Sequence, residues 1–209
     1  MSNRNHNTFL SLLICIIALI LFSSCGKKEI IYPEKLITEK TTQYFIDEKV
    51  PDALVENIIK AGQNTTSAMN RQNWHFTAVS GEVMMEDFRT KIQESMPENI
   101  KEQTNRKAQL GDSPLAIIVS CIEGCEYDAG LATQNMFAYT VMNGYGAKIV
   151  SSPAKMLNDN YKEKLEIPSE MSVVSVILIG KPKEVEGIDS VTSASKRKNI
   201  NDVANYIER

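Results

Sequence analysis

The sequence predicts an α+β protein: a three-layer sandwich with a mixed, mainly antiparallel sheet flanked by helices. Three observations carry that expectation. Helix-period and strand-like runs alternate along the 209 residues, but without the even spacing of βαβ units. Two runs, Pro114–Cys121 (PLAIIVSC) and Met171–Gly180 (MSVVSVILIG), are apolar almost throughout and read as strands. Between them, Asp128–Asn143 has helical period yet is apolar on more than one face, as a central, heavily buried helix is.

The chain opens with a segment that lies outside this fold. Residues 1–24 read as a secretory signal, with Arg4 as the positive start and Phe9–Phe22 as the apolar core. That core is shorter than the roughly 20 residues a membrane-spanning helix needs. It ends in L-F-S-S-C, which resembles the lipobox of bacterial lipoproteins. The resemblance implies cleavage before Cys25 and lipidation of its thiol, hence an exported, membrane-anchored protein on the periplasmic side. An uncleaved N-terminal anchor is the alternative. Residues 25–36 would then be a tether, and 37–209 the folded domain.

The first helix is opened by Pro51, whose fixed φ suits a first turn. Leu54, Val55, Ile58, Ile59 and Ala61 trace its apolar stripe, and Gly62 ends it. Phe76–Ser80 follows as a short strand. Val83, Met84, Phe88, Ile92 and Met96 recur at helical spacing and give a second helix. The polar stretch from Glu94 to Asp112 reads as surface helix and loop, of the kind that lids a site. After the strand at Pro114–Cys121 comes the long helix, terminated by Gly144 and Gly146. Ala147–Ser152 is a short strand or turn, and Pro153 begins a helix running to about Glu166. The strand at Met171–Gly180 is stopped by Lys181 and Pro182.

The formal net charge is −3. Removing residues 1–24 takes away one positive charge (Arg4) and no acidic one, giving −4. Such a balance argues against a nucleic-acid partner. Cys15 and Cys25 belong to the export segment, leaving Cys121 and Cys125 in a C-x-x-x-C spacing. A disulfide is one reading in an oxidising compartment. The plainer one makes Cys121 a strand residue and Cys125 part of the following turn. His75 is the only histidine beyond the signal, so no metal site is expected.

One stretch speaks more directly to chemistry. Thr66–Phe76 (TSAMNRQNWHF) resembles the P-S-x-x-N-x-Q-P-W-x-F signature of FMN-dependent nitroreductases, with Thr66 and Asn73 where that family has proline. Further motifs follow in the family's order. Asp128, Gly130, Gln134 and Asn135 resemble its D-x-G-x-x-x-Q-N helix opening, and Gly144 with Gly146 its G-x-G exit. Val174–Pro182 (VSVILIGKP) resembles its strand ending in G-x-P. Lys196–Val203 (KRKNINDV) resembles its closing R-x-P-L-x-x-V, with Asn199 in place of proline. The likeness spans about Ile37 to Tyr206.

The resemblance implies FMN as cofactor. Ser67, Ala68 and Asn70 would then reach the flavin, chiefly the one held by a partner subunit, and Gln72 would brace the loop. Arg197 would grip the phosphate, with Lys196 and Lys198 as substitutes if the register slips by one. The other half of the phosphate site would draw on Lys40, Thr41 and Gln43; here Glu39 and Gln43 replace two of the family's arginines. A backbone N–H at Ser151 or Ser152 would meet the hydride-accepting ring nitrogen. No catalytic side chain is expected, because the flavin carries the chemistry. The implied reaction is a ping-pong transfer of two electrons from a reduced donor to a nitroaromatic, quinone or similar acceptor. The implied assembly is a homodimer in which residues 200–207 pair with the partner's sheet. The alternative function is a non-catalytic flavin- or ligand-binding lipoprotein that kept the fold.

Overall fold

In the computed structural model, residues 41–94, 112–184 and 198–207 are described. Cys25, Glu39, Lys40, Lys196 and Arg197, and the expected lid stretch 95–111, lie outside them. Among the described residues, five strands and four α-helices run in the order β1 (Phe45–Ile46), α1 (Asp52–Gln63), β2 (Trp74–Ser80), α2 (Glu82–Glu94), β3 (Leu115–Ile122), α3 (Glu126–Met142), β4 (Gly146–Val150), α4 (Ala154–Asn160) and β5 (Met171–Pro182). Short 3₁₀ turns occur at Ala68–Asn70 and Ile200–Asp202.

The sheet has the order β1-β5-β3-β2, and β4 also pairs with β5. Every pairing among the described residues is antiparallel. Leu115 to Ile179, Ala116 to Leu178 and Ile117 to Ile177 set the β3–β5 register, with an irregularity between Val119 and Ser120. β5 therefore lies between β3 on one edge and β4 on the other.

Alternation along β3 shows why its sequence is apolar throughout. Leu115, Ile117, Val119 and Cys121 pack with Ile58 of α1 and with Ala129, Met136 and Val141 of α3. Ala116 and Ile118 point the other way, into a cluster with Met85 and Phe88 of α2 and Met156 and Leu157 of α4. Successive strand residues face opposite sides, and here both sides are covered by helices. The three layers expected from the sequence are thus α1 with α3, the sheet, and α2 with α4.

The boundaries differ in instructive places. β2 starts at Trp74 and not Phe76, because Trp74 and His75 already pair with Cys121 and Ser120. β5 continues through Lys181 and Pro182, which pair with Ile46 and Phe45. The last helix stops at Asn160, well before Glu166. Tyr161 leaves helical geometry at φ −129°, and Glu166 sits at φ +53°. What holds this region is tertiary. Asn158 receives the Val173 N–H at 2.8 Å and donates to the Val173 carbonyl at 3.2 Å, while the Tyr161 hydroxyl donates to Asp87 at 2.9 Å. Cys121 and Cys125 are free thiols, in line with the strand-and-turn reading.

Candidate functional site

The expected site residues fall into two groups, and the first is the loop between α1 and β2. Ser67 is extended (φ −138°, ψ 157°), after which Met69, Asn70 and Gln72 all have φ between 52° and 54°. Left-handed backbone is uncommon outside glycine and costs energy at each residue. The loop is held in it by specific bonds. The Ala68 N–H donates to Oδ2 of Asp128 at 3.1 Å, and the Gln72 N–H donates to the Ser67 hydroxyl at 3.0 Å. Gln72 closes the loop through its main chain. Below it, Asn135 donates to the Thr65 hydroxyl at 2.8 Å, and Asn73 reaches the Cys125 sulfur at 3.5 Å.

Asp128 is the anchor of this arrangement. Its residue is only 9 % exposed, and it lies in the first turn of α3, where the helix dipole favours a carboxylate. The result is a rim on which Ala68 and Asn70 face solvent. An asparagine amide presents both donor and acceptor to such an edge.

The second group lies at the other end of the sheet. Thr41 and Gln43 flank Thr42, which is buried and donates its N–H to the Ala147 carbonyl at 3.0 Å. This seam is tight: a Cβ at Gly146 would stand 2.7 Å from Cγ2 and 2.9 Å from Cβ of Thr42, besides meeting its hydroxyl. Beside it, the ammonium of Lys148 donates to Oε1 of Gln43 at 3.5 Å. Burial pushes the Lys148 pKa down. Ser151 and Ser152 follow β4 in an exposed turn, and the Ser151 carbonyl accepts the Ala154 N–H at 3.0 Å.

The chain does not bring the two groups together. The loop leads into Trp74, which is level with Cys121 and hence Ser172, whereas Gly146 is level with Gly180. Eight strand residues at about 3.3 Å each put roughly 25 Å between those levels. Ser151 and Ser152 adjoin Val150, which pairs with Val176 between the two.

A cleft of about 690 Å³ lies elsewhere again, between β1, the start of α2 and residues 112–114. Asp47, Glu82, Glu86 and Asp112 line it together with Lys49, Arg89 and Lys183. Its guanidinium is tied to the Ser113 carbonyl at 3.1 Å and to Glu86 at 3.5 Å. With that acid-rich lining it suits a phosphate poorly, and the two groups of expected residues are the better candidate site.

Two contributors escaped the sequence. Asp128 is visible as a motif residue, but nothing local ties it to Ala68, 60 positions away. Lys148 carries one usable signal, a lysine in an otherwise apolar short strand, but its neighbour Gln43 is 105 positions away.

Comparison with known proteins follows the same lines. Residues 39–181 match the family model described as Nitroreductase family. A protein of Methanothermobacter thermautotrophicus named "Putative NADH dehydrogenase/NAD(P)H nitroreductase" is 28% identical over 162 residues, covering 74% of this chain and 78% of that protein. Two crystal structures share the fold at 19% identity, each aligned over 84% of this chain and 97% of theirs. One is a nitroreductase with bound FMN from Bacteroides fragilis (TM-score 0.71), the other a nitroreductase with bound FMN from Desulfitobacterium hafniense (TM-score 0.69).

Proposed function

This chain belongs to the nitroreductase family, and on that premise we propose that it is an FMN-dependent oxidoreductase. It would pass two electrons from a reduced donor to a nitroaromatic, quinone or similar small acceptor in a ping-pong cycle. The observation that carries this reading is the loop of residues 67–72, held in three left-handed non-glycine conformations by the buried Asp128 carboxylate. Backbone strain of this kind is retained where a preformed ligand edge needs it.

The donor set fits FMN. Such a cofactor asks for N–H groups and amides along its ring edge and for cations near its phosphate. Asn70 and the Ser67 hydroxyl offer the first; Lys148 offers a cation, and Thr41, next to Thr42 in sequence, a neutral hydroxyl. FMN, when bound, supplies the two-electron chemistry. The chain's task is to bind, orient and exclude water. The Ser67 hydroxyl accepts the Gln72 N–H, which leaves its own proton to donate elsewhere. Asn70 is presented at the rim, and the turn at Ser151 and Ser152 offers main-chain N–H groups beside β4.

The separation of the two groups along the sheet supports a homodimer, in which the loop of one subunit serves the flavin seated on the other. So does the C-terminal segment, where Ile200, Val203, Tyr206 and Ile207 are all more than half exposed. Apolar side chains in such a row are covered when they pair with a second copy. Cleavage before Cys25, lipidation of its thiol and attachment to the periplasmic face of a membrane complete the reading. They rest on the signal-like residues 1–24 alone.

A second reading, a non-catalytic ligand-binding lipoprotein, is favoured by the neutral side chain at Gln43. The visible absorption spectrum of the purified chain decides between them. A yellow protein releasing about one FMN per subunit supports the oxidoreductase. A protein that stays colourless after incubation with excess FMN and desalting refutes it.

A further inference from the structure

Lys49, Lys60, Lys91, Lys155, Lys164 and Lys181 stand in the open, yet each pairs with a carboxylate. Arg71, on the rim formed by residues 67–72, does not. Among the described residues no carboxylate stands within ion-pair distance of it, and its guanidinium meets the Met69 sulfur at 3.9 Å. A thioether is a weak acceptor, so the fork of N–H donors stays largely unused. The acidic group of this network, Asp128, is engaged by the Ala68 N–H. The backbone fixes where the cation stands. Arg71 is right-handed (φ −72°, ψ −27°), between Asn70 at φ 54° and Gln72 at φ 52°. Its N–H donates to the Ala68 carbonyl at 3.2 Å, and that of Asn70 to the Ser67 carbonyl at 2.9 Å. The exposed side chain is therefore carried on the same rim as Asn70, one residue away. Met69 is 76 % exposed, so the guanidinium has an apolar thioether at its flank.

We propose that Arg71 is a specificity-determining residue, which selects an aromatic electron acceptor carrying a carboxylate. The inference rests on the reading of the chain as an FMN oxidoreductase with this rim at the flavin. A guanidinium presents a planar fork of donors that matches a carboxylate with two parallel bonds. The thioether beside it suits a flat ring. Asn70, with both a donor and an acceptor, serves the flavin edge, so the two neighbouring side chains divide cofactor and acceptor between them. A neutral acceptor of the same shape leaves the guanidinium in water and gains nothing from it.

The test uses benzoate and benzamide, which share a shape, differ in charge and take no electrons from the flavin. Each is titrated into the FMN-loaded full chain and followed through the visible flavin band, for wild type, Arg71→Gln and Arg71→Lys. Wild type is expected to bind benzoate about tenfold more tightly than benzamide. Arg71→Gln should lose that preference by weakening benzoate alone. Arg71→Lys, which keeps the charge but not the fork, should retain part of it. Added salt should weaken benzoate only where the charge remains. FMN content and melting of each variant are measured first, and Arg71→Met takes the place of the glutamine variant if that one does not fold. If benzoate leaves the wild-type flavin band unchanged, or if its preference survives loss of the guanidinium to within about twofold, the assignment is overturned. It is equally overturned if the Arg71 variants lose FMN itself, because the cation then serves the cofactor. A wild type that takes up no FMN strikes the cofactor reading first and this inference with it. A wild type that binds FMN and does not discriminate strikes this inference alone.

Discussion

Replacing Asp128 by alanine isolates what the buried carboxylate contributes to the loop it holds. The bond from the Ala68 N–H to Asp128 Oδ2, 3.1 Å long, is charge-assisted and contributes about 1.5–3 kcal/mol. Asp128 also lies in the first turn of α3, where an acidic residue adds about 0.3–1 kcal/mol through the helix dipole. Together these give about 2–4 kcal/mol. In a domain of this size each kcal/mol moves the melting temperature by about 2–4 °C, so Asp128→Ala should melt about 4–16 °C below wild type. Asp128→Asn keeps the size and an acceptor oxygen, and should lose about half as much. The loss is local in origin, so hydrogen exchange at the Ala68 amide should accelerate well before global unfolding does. A melting temperature for Asp128→Ala within about 1 °C of wild type, or an unchanged Ala68 exchange rate, would refute the anchoring role.

Three further outcomes follow from the geometry. Gly146→Ala forces a methyl to within 2.7 Å of Thr42 Cγ2, and the crowding should cost about 1–3 kcal/mol in urea unfolding; an unperturbed midpoint would show the seam to be loose. Tyr161 has its pKa pushed up to about 12, first by burial and then by its bond to Asp87. A phenol raised above its unfolded value near 10 stabilises the fold fully below pH 10, and that contribution is lost as pH rises towards 12. Tyr161→Phe should therefore be less stable than wild type at neutral pH by about 1 kcal/mol, with the gap closing above pH 10; a gap constant across that window would contradict the assignment. Cys121, buried and with its thiol pushed up to about 11 mainly by burial, should be alkylated by iodoacetamide at pH 8 far more slowly than Cys125; equal rates by peptide mapping would count against it.

How much of this was legible in the sequence depended on whether the cause was local. β3 and β5 were readable because each is buried on both faces and so carries an apolar run. α1 and α3 were readable because their periodicity is intrinsic to the helix. β1 was not, since two residues carry no period at all and their strand character comes entirely from pairing with Lys181 and Pro182. The end of α4 was misplaced because no glycine or proline marks it before Pro168. Asn158 and Tyr161, fastened to Val173 and Asp87, set it from outside the segment. The same division runs through the candidate site. Ser67, Asn70 and Gln72 stand within one contiguous motif and are read together from it. The links from Asp128 to Ala68 and from Lys148 to Gln43 cross 60 and 105 residues, and only the folded chain makes them neighbours.

The place of β5 bears on when folding can occur as well as on what holds the sheet. It is the one strand bonded to β1, β3 and β4, and it is also the last of the five to be synthesised. A growing chain that has not reached Met171 has no partner for the second edge of β3 and none for the main-chain groups of β4 or β1. The pairings that join residues 45–46 to 181–182 close loops of well over a hundred residues, whose entropy must be met before any contact repays it. Stable structure therefore waits for nearly the whole polypeptide. A ribosome stalled anywhere before β5 would carry an open, apolar edge that needs a chaperone's cover.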